Sequence, residues 1–185
     1  MYSVFVRNYS EEGTFEALRR DLNRIHDLGV DVIVGSHPHV VQPVDLLTST
    51  LDPNQTTLVI YSAGTLLSNL RADNTDVISG HTEDGLLCRF TLSRYNDNSV
   101  HVSSLSLMPT WTAVYGGSEN PDFCILPLDS SVPDWALTYD LNDAQLSAAK
   151  SSYNRTMAIV TSGYNGVNHE LSQRTASLDP TLGVG

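Results

Sequence analysis

Apolar residues recur in two different periods along the first part of the chain. Tyr2-Ser3-Val4-Phe5-Val6-Arg7 reads as a short strand. Phe15, Leu18, Leu22, Ile25 and Leu28 instead step by three and four residues, which predicts a helix over 13–28 with one apolar face. Gly29 follows at the position where a helix commonly ends, because glycine enters the left-handed region without a Cβ clash. Asp31-Val32-Ile33-Val34-Gly35 is then almost continuously apolar, the pattern of a strand buried on both faces. Strand, helix and buried strand in that order predict a βαβ unit and an α/β fold.

Further along, a mostly polar spacer over 48–56 leads to a second buried strand over 57–61. The pattern then changes. Segments 86–92 and 100–107 read as an antiparallel pair joined by the turn residues Asn96-Asp97-Asn98. One more short strand is expected over 122–127. A helix over 143–157 is built on the good helix formers Ala144, Leu146, Ala148 and Ala149. The stretch 165–185 is polar and carries Gly and Pro, so a loosely held tail is expected.

Composition places this pattern in a globular protein. The 185 residues are 41% hydrophobic and 17% charged, and no apolar run is long enough to span a membrane. Acidic residues outnumber basic ones 21 to 10, for a net charge of -11, and Lys150 is the single lysine. Such a surface repels nucleic acid, so no nucleic-acid partner is expected. Met1 leads into a short apolar stretch without a basic flank or cleavage site, so no signal or anchor is read here.

Candidate chemistry concentrates in Gly35-Ser36-His37-Pro38-His39-Val40-Val41-Gln42-Pro43. Two histidines two apart lie just beyond the C-terminal end of a buried strand, where open α/β sheets place their ligand crevices. Neutral imidazole is a good ligand for several divalent metals. Pro38 fixes its own φ and is expected to push His37 towards an extended conformation. Gly35 lacks a side chain, so a ligand has room to approach its backbone. Taken alone, the histidine pair is a weak signal. His81 is expected at the surface, and His101 as a structural or exposed strand residue. Cys88 and Cys124 sit in apolar settings and carry no sign of nucleophilic or redox chemistry, and a disulfide between them requires neighbouring strands.

The blocks around this loop resemble a known family. Residues 29–43, Gly-Val-Asp-Val-Ile-Val-Gly-Ser-His-Pro-His-Val-Val-Gln-Pro, resemble a conserved block of CapA-type poly-γ-glutamate capsule biosynthesis proteins, a branch of the calcineurin-like metallophosphoesterases. Leu58-Val59-Ile60-Tyr61-Ser62-Ala63-Gly64-Thr65-Leu66-Leu67, Glu83-Asp84-Gly85, Pro109-Thr110-Trp111 and Ile125-Leu126-Pro127-Leu128 are similar to its further blocks, in family order. Thr65 stands where that family carries asparagine.

The resemblance implies the C-terminal half of a four-layer αββα metallophosphoesterase-like sandwich over 1–110. A C-terminal extension with a short strand, a helix and a polar tail would fill 111–185. It also implies that His37 and His39 ligate divalent metal, with manganese, iron and zinc all plausible. Ser36, Gln42 and Ser62 are then candidates to orient the imidazoles. The family's Gly-Asp and Asn-His motifs have no counterpart here, so the metal site is expected to need a preceding half or a second chain. Implied partners are the subunits of a capsule or polyglutamate synthase, and the implied location of the parent protein is membrane-anchored and extracytoplasmic. A metal-dependent hydrolase and a non-catalytic scaffold subunit both fit this resemblance, and no catalytic residue is assigned.

Overall fold

The computed structural model describes residues 2–5, 10–12, 20–21, 24–25, 28–48, 56–67, 81–96, 100–117 and 119–162. The chain is α/β, with one mixed sheet, one antiparallel sheet and a C-terminal helix. The mixed sheet contains β1 (Tyr2–Phe5), β2 (Val32–Ser36), β3 (Val44–Thr48) and β4 (Thr56–Ile60), in the order β1-β2-β4-β3. β1, β2 and β4 run parallel, and β3 folds back antiparallel on β4. β2 carries the expected apolar run, and Val32 and Ile33 are fully buried within it.

Much of the first expected helix lies outside the described residues. Within it, Arg20, Asp21, Arg24 and Ile25 are helical, and Gly29 takes the left-handed φ of 78° that ends the segment. Ile25 packs with Ile33, Val59 and Tyr61 on one face of the mixed sheet. Leu28 departs from the expected apolar stripe and is 70% exposed. It sits in the turn after the last helical residues, where the 3.6-residue period no longer governs direction.

The antiparallel sheet contains β5 (Asp84–Arg94), β6 (Val100–Gly117) and β7 (Asn120–Pro127). β6 is staggered. It pairs with β5 from Val100 to Trp111 and with β7 from Thr110 to Gly117. It therefore runs unbroken through residue 110. Pro109 lies where one partner hands over to the other, and its carbonyl accepts from the Leu128 N–H at 2.9 Å. A proline lacking an N–H is tolerated at such a ladder end.

Two helices follow, α1 (Val132–Thr138) and α2 (Asp143–Val160). α2 starts with a capping box in which Asn142 accepts from the Gln145 N–H while the Gln145 side chain accepts from the Asn142 N–H. That reciprocal pair satisfies two backbone donors at the helix start.

Three apolar clusters hold these parts together. The second face of the mixed sheet (Val32, Val44, Leu46, Leu58, Ile60) packs against Leu86, Val102 and Leu105 of the antiparallel sheet and Val160 of α2. Trp111, Ala113, Cys124 and Leu126 pack against Ala136 of α1 and Ala149 of α2. Each fully buried aliphatic side chain contributes about 1.5–3 kcal/mol relative to an exposed one.

Cys88 lies on β5 and Cys124 on β7, with β6 between them, and both are free thiols. Burial pushes the Cys88 thiol up to about 12, so it behaves as a small hydrophobe rather than a nucleophile. The expected tail over 165–185 lies outside the described residues.

Candidate functional site

β2 and β4 are neighbouring parallel strands, so the segments leaving their C-terminal ends meet above the sheet. The segment after β2 carries His37 and His39, and the segment after β4 carries Ser62 and Thr65. Three backbone links join them. The Gln42 N–H donates to the Ser62 carbonyl at 3.0 Å, the Tyr61 N–H donates to the Pro43 carbonyl at 3.2 Å, and Val41 bridges Ala63.

His37 and His39 are both exposed, with ring centroids 6.2 Å apart and planes tilted by 47°. Both have positive φ, 110° for His37 and 59° for His39. The conformation of His37 differs from the extended one expected before a proline. Non-glycine residues held at positive φ cost on the order of 1–3 kcal/mol each and persist only where the surroundings fix them. Here the surroundings are the backbone links to the 61–63 segment.

Thr65 is the partner that the sequence reading passed over. Its hydroxyl lies 3.3 Å from His39 Nδ1 and donates to the His39 carbonyl at 3.3 Å. With the hydroxyl proton directed to the carbonyl, the oxygen accepts from an Nδ1–H, which leaves the ring's lone pair on Nε2 of the exposed His39. That tautomer is the one a metal-ligating histidine adopts when its other nitrogen is held by the protein. The signal in the sequence was the position of Thr65 beyond the next parallel strand.

The other candidates fall in different places. Ser36 ends β2 in an exposed position. Ser62 is buried, and its hydroxyl accepts from the Gly64 N–H at 3.2 Å, shaping the turn that presents Thr65. Gln42 is half-buried and lines a cavity of about 240 Å³ with Val40, Val41, Pro43, His81, Asp84 and Ile159. His81 is 47% exposed on its side chain and lies 3.4 Å from Glu83 Oε1. His101 stacks edge-on against Tyr95 on the β5–β6 hairpin.

Two imidazoles on a single tetrahedral ion would have centroids about 5 Å apart, so the observed 6.2 Å calls for a small closing rotation or for two adjacent ions. Exposed side chains can make that adjustment. Among the described residues, no group of three or more His, Cys, Asp or Glu side chains is placed to hold a metal ion. Two histidines alone are too few to fill the coordination sphere of a divalent ion.

Replacing Thr65 with valine removes the hydroxyl and keeps the shape. Nitrogen NMR of the imidazoles is expected to show His39 as the Nδ1–H tautomer in the wild type and a mixture in Thr65→Val. An unchanged tautomer in the variant would exclude Thr65 as the orienting group.

Comparison with known proteins gives one family. Residues 8–70 match the model of the bacterial capsule synthesis protein PGA_cap, a span that includes the histidine segment, β2 to β4 and Thr65. No curated protein and no solved structure matches the chain significantly. Over residues 8–70, with the paired histidines at its centre, the chain is similar to the bacterial capsule synthesis protein family PGA_cap.

Proposed function

We propose that this chain is part of a CapA-type capsule synthesis protein acting on poly-γ-glutamate through a metal-dependent, metallophosphoesterase-like hydrolase fold. His37 and His39 would hold a divalent ion, manganese, iron or zinc, through their ring nitrogens. One observation carries this reading: the family match over 8–70 is centred on a histidine pair at the C-terminal end of a parallel strand, with Thr65 against His39. When bound, the ion would polarise a phosphoryl or acyl oxygen and lower the pKa of a bound water. Thr65 would orient the His39 imidazole, and the backbone links to residues 61–63 would hold the loop that carries both histidines. The remaining ligands would come from a preceding segment or a second chain, which would also complete the four-layer sandwich. The parent protein would be membrane-anchored and extracytoplasmic, beside the subunits of a polyglutamate synthase.

A second reading is a non-catalytic scaffold subunit of that membrane complex. It is favoured by the absence, among the described residues, of a third metal-ligating side chain near the histidine pair. Elemental analysis of the purified chain beside His37→Ala/His39→Ala tests the metal reading. Near-stoichiometric metal that is lost in the double variant would support ligation by the histidine pair, with the remaining ligands supplied by a second copy of the chain. Metal-free wild-type protein, still unable to retain zinc or manganese after dialysis, would leave this chain an incomplete fragment or a scaffold.

A further inference from the structure

The last part of the described structure carries a surface that the histidine site does not use. Residues 111–149 contain six carboxylates, Glu119, Asp122, Asp129, Asp134, Asp140 and Asp143, and no lysine, arginine or histidine. All six are exposed. Two of them, Asp122 and Asp129, flank a row of half-buried aromatic rings. Tyr115 of β6 lies against Tyr139, with ring centroids 4.8 Å apart and planes tilted by 52°. Tyr139 lies against Trp135 of α1 at 6.2 Å, with planes only 24° apart. Tyr115, Tyr139 and Trp135 rest on the buried cluster of Trp111, Ala113 and Leu126, so the row has a rigid floor.

A carboxylate reaches each end of this row. Trp135 Nε1 donates to Ser131 Oγ at 2.8 Å, and Ser131 Oγ in turn donates to Asp129 Oδ1 at 2.5 Å. A carboxylate thus draws on the indole N–H through one hydroxyl, which pushes electron density towards the ring. At the other end Asp122 is the cross-strand partner of Tyr115. Burial first, and then the Asp122 carboxylate, push the Tyr115 phenol above its usual range. An aromatic face flanked by carboxylates attracts a cation both through the ring quadrupole and through direct charge. The row runs from Asp122 to Asp129, with a carboxylate at each end and rings between. That layout suits successive charges on one chain better than a single small ion.

We propose that the Tyr115–Tyr139–Trp135 row, with Asp122 and Asp129 at its ends, docks lysine or arginine side chains of a basic partner polypeptide. It shares no residue with the proposed histidine site and does not need metal.

The test uses the whole chain and Trp135 as its own reporter, since Trp111 is buried and supplies a constant background. Tetra-arginine, tetra-lysine, tetraglycine and tetramethylammonium are titrated while tryptophan emission is followed. A saturable change with tetra-arginine or tetra-lysine, absent with tetraglycine, is expected. Losing one ring should weaken it about tenfold in Tyr139→Leu, and Asp122→Asn should weaken it about threefold. Circular dichroism checks that each variant is folded. If Tyr139→Leu does not fold, Asp122→Asn and Trp135→Tyr, read by calorimetry, carry the same test. Equal affinity in the folded variants would mean diffuse attraction to an acidic surface and would overturn the proposal. So would equal binding of tetramethylammonium, which would make this a small-cation site, or no saturable binding at all.

Discussion

Truncating Arg155 to alanine is expected to cost about 3–5 kcal/mol, more than truncating its partner Asp84. The two form a bidentate pair, with Nε donating to Oδ2 at 2.7 Å and a terminal guanidinium nitrogen donating to Oδ1 at 2.9 Å. Ser152 Oγ donates to the same Oδ1 at 2.6 Å. The asymmetry follows from burial. Asp84 is 1% exposed on its side chain, whereas Arg155 is 27% exposed. Removing the arginine leaves a buried carboxylate with one neutral hydroxyl for compensation. Removing the aspartate leaves a guanidinium that still reaches water, so about 2 kcal/mol is expected for Asp84→Ala.

The pair also explains how α2 is seated. Asp84 starts β5 and Arg155 sits on α2, 71 residues later. It lies between the cluster under α2's C-terminal end and the cluster under its first turns. Urea unfolding of both variants gives the measurement. For a domain of this size the arginine loss should move the midpoint by roughly 1–3 M. Equal losses in the two variants, or losses below 1 kcal/mol, would mean that the pair is solvated and contributes little.

How much of this was legible in the sequence depended on whether a pattern was local. β2 and β4 were read to within one residue because their apolar runs are nearly unbroken. The start of α2 was read correctly, and its capping box explains why it starts there. β3 was missed. Its sequence Val-Asp-Leu-Leu-Thr places Asp45 in the middle of a buried strand, which breaks both the alternating and the continuous apolar templates. α1 was missed because seven residues with a proline near the start show no helical period. The start of β6 at Val100 was read correctly, but its C-terminal end was underestimated because Pro109 interrupts the strand pattern, whereas the stagger of β5 and β7 accommodates it. Within the site, the histidine pair was legible as a local motif. Its contact with Thr65 spans 26 residues and depends on which strands are neighbours. The Asp84–Arg155 pair has no sequence signature at all, since nothing local ties the two positions.

Gly35→Ala is expected to cost about 3 kcal/mol or more and to disturb the histidine segment, because backbone rather than side chain stands in the way. A Cβ at residue 35 would lie 2.3 Å from the Tyr61 carbonyl oxygen and 3.2 Å from its carbon. The sequence reading had assigned the free space at Gly35 to an approaching ligand, and the structure fills it with the neighbouring chain segment instead. No rotamer change can relieve that contact. Either β2 or the chain leaving β4 must move, and both lie inside the sheet, beside the fully buried Ile33 and Val59. Movement at Tyr61 reaches the histidines directly, since the Tyr61 N–H is bonded to Pro43 and the Ser62 carbonyl to Gln42. The positive φ values of His37 and His39 depend on those two bonds, so the variant should lose the His39–Thr65 contact along with stability. Urea unfolding gives the first effect, and the imidazole nitrogen spectrum of the folded fraction gives the second. A variant with wild-type stability and an intact Nδ1–H tautomer at His39 would show that the two segments are not packed as tightly as this geometry requires. A variant that loses stability but keeps the tautomer would show that the histidine segment is fixed by its own backbone rather than by the strand beside it.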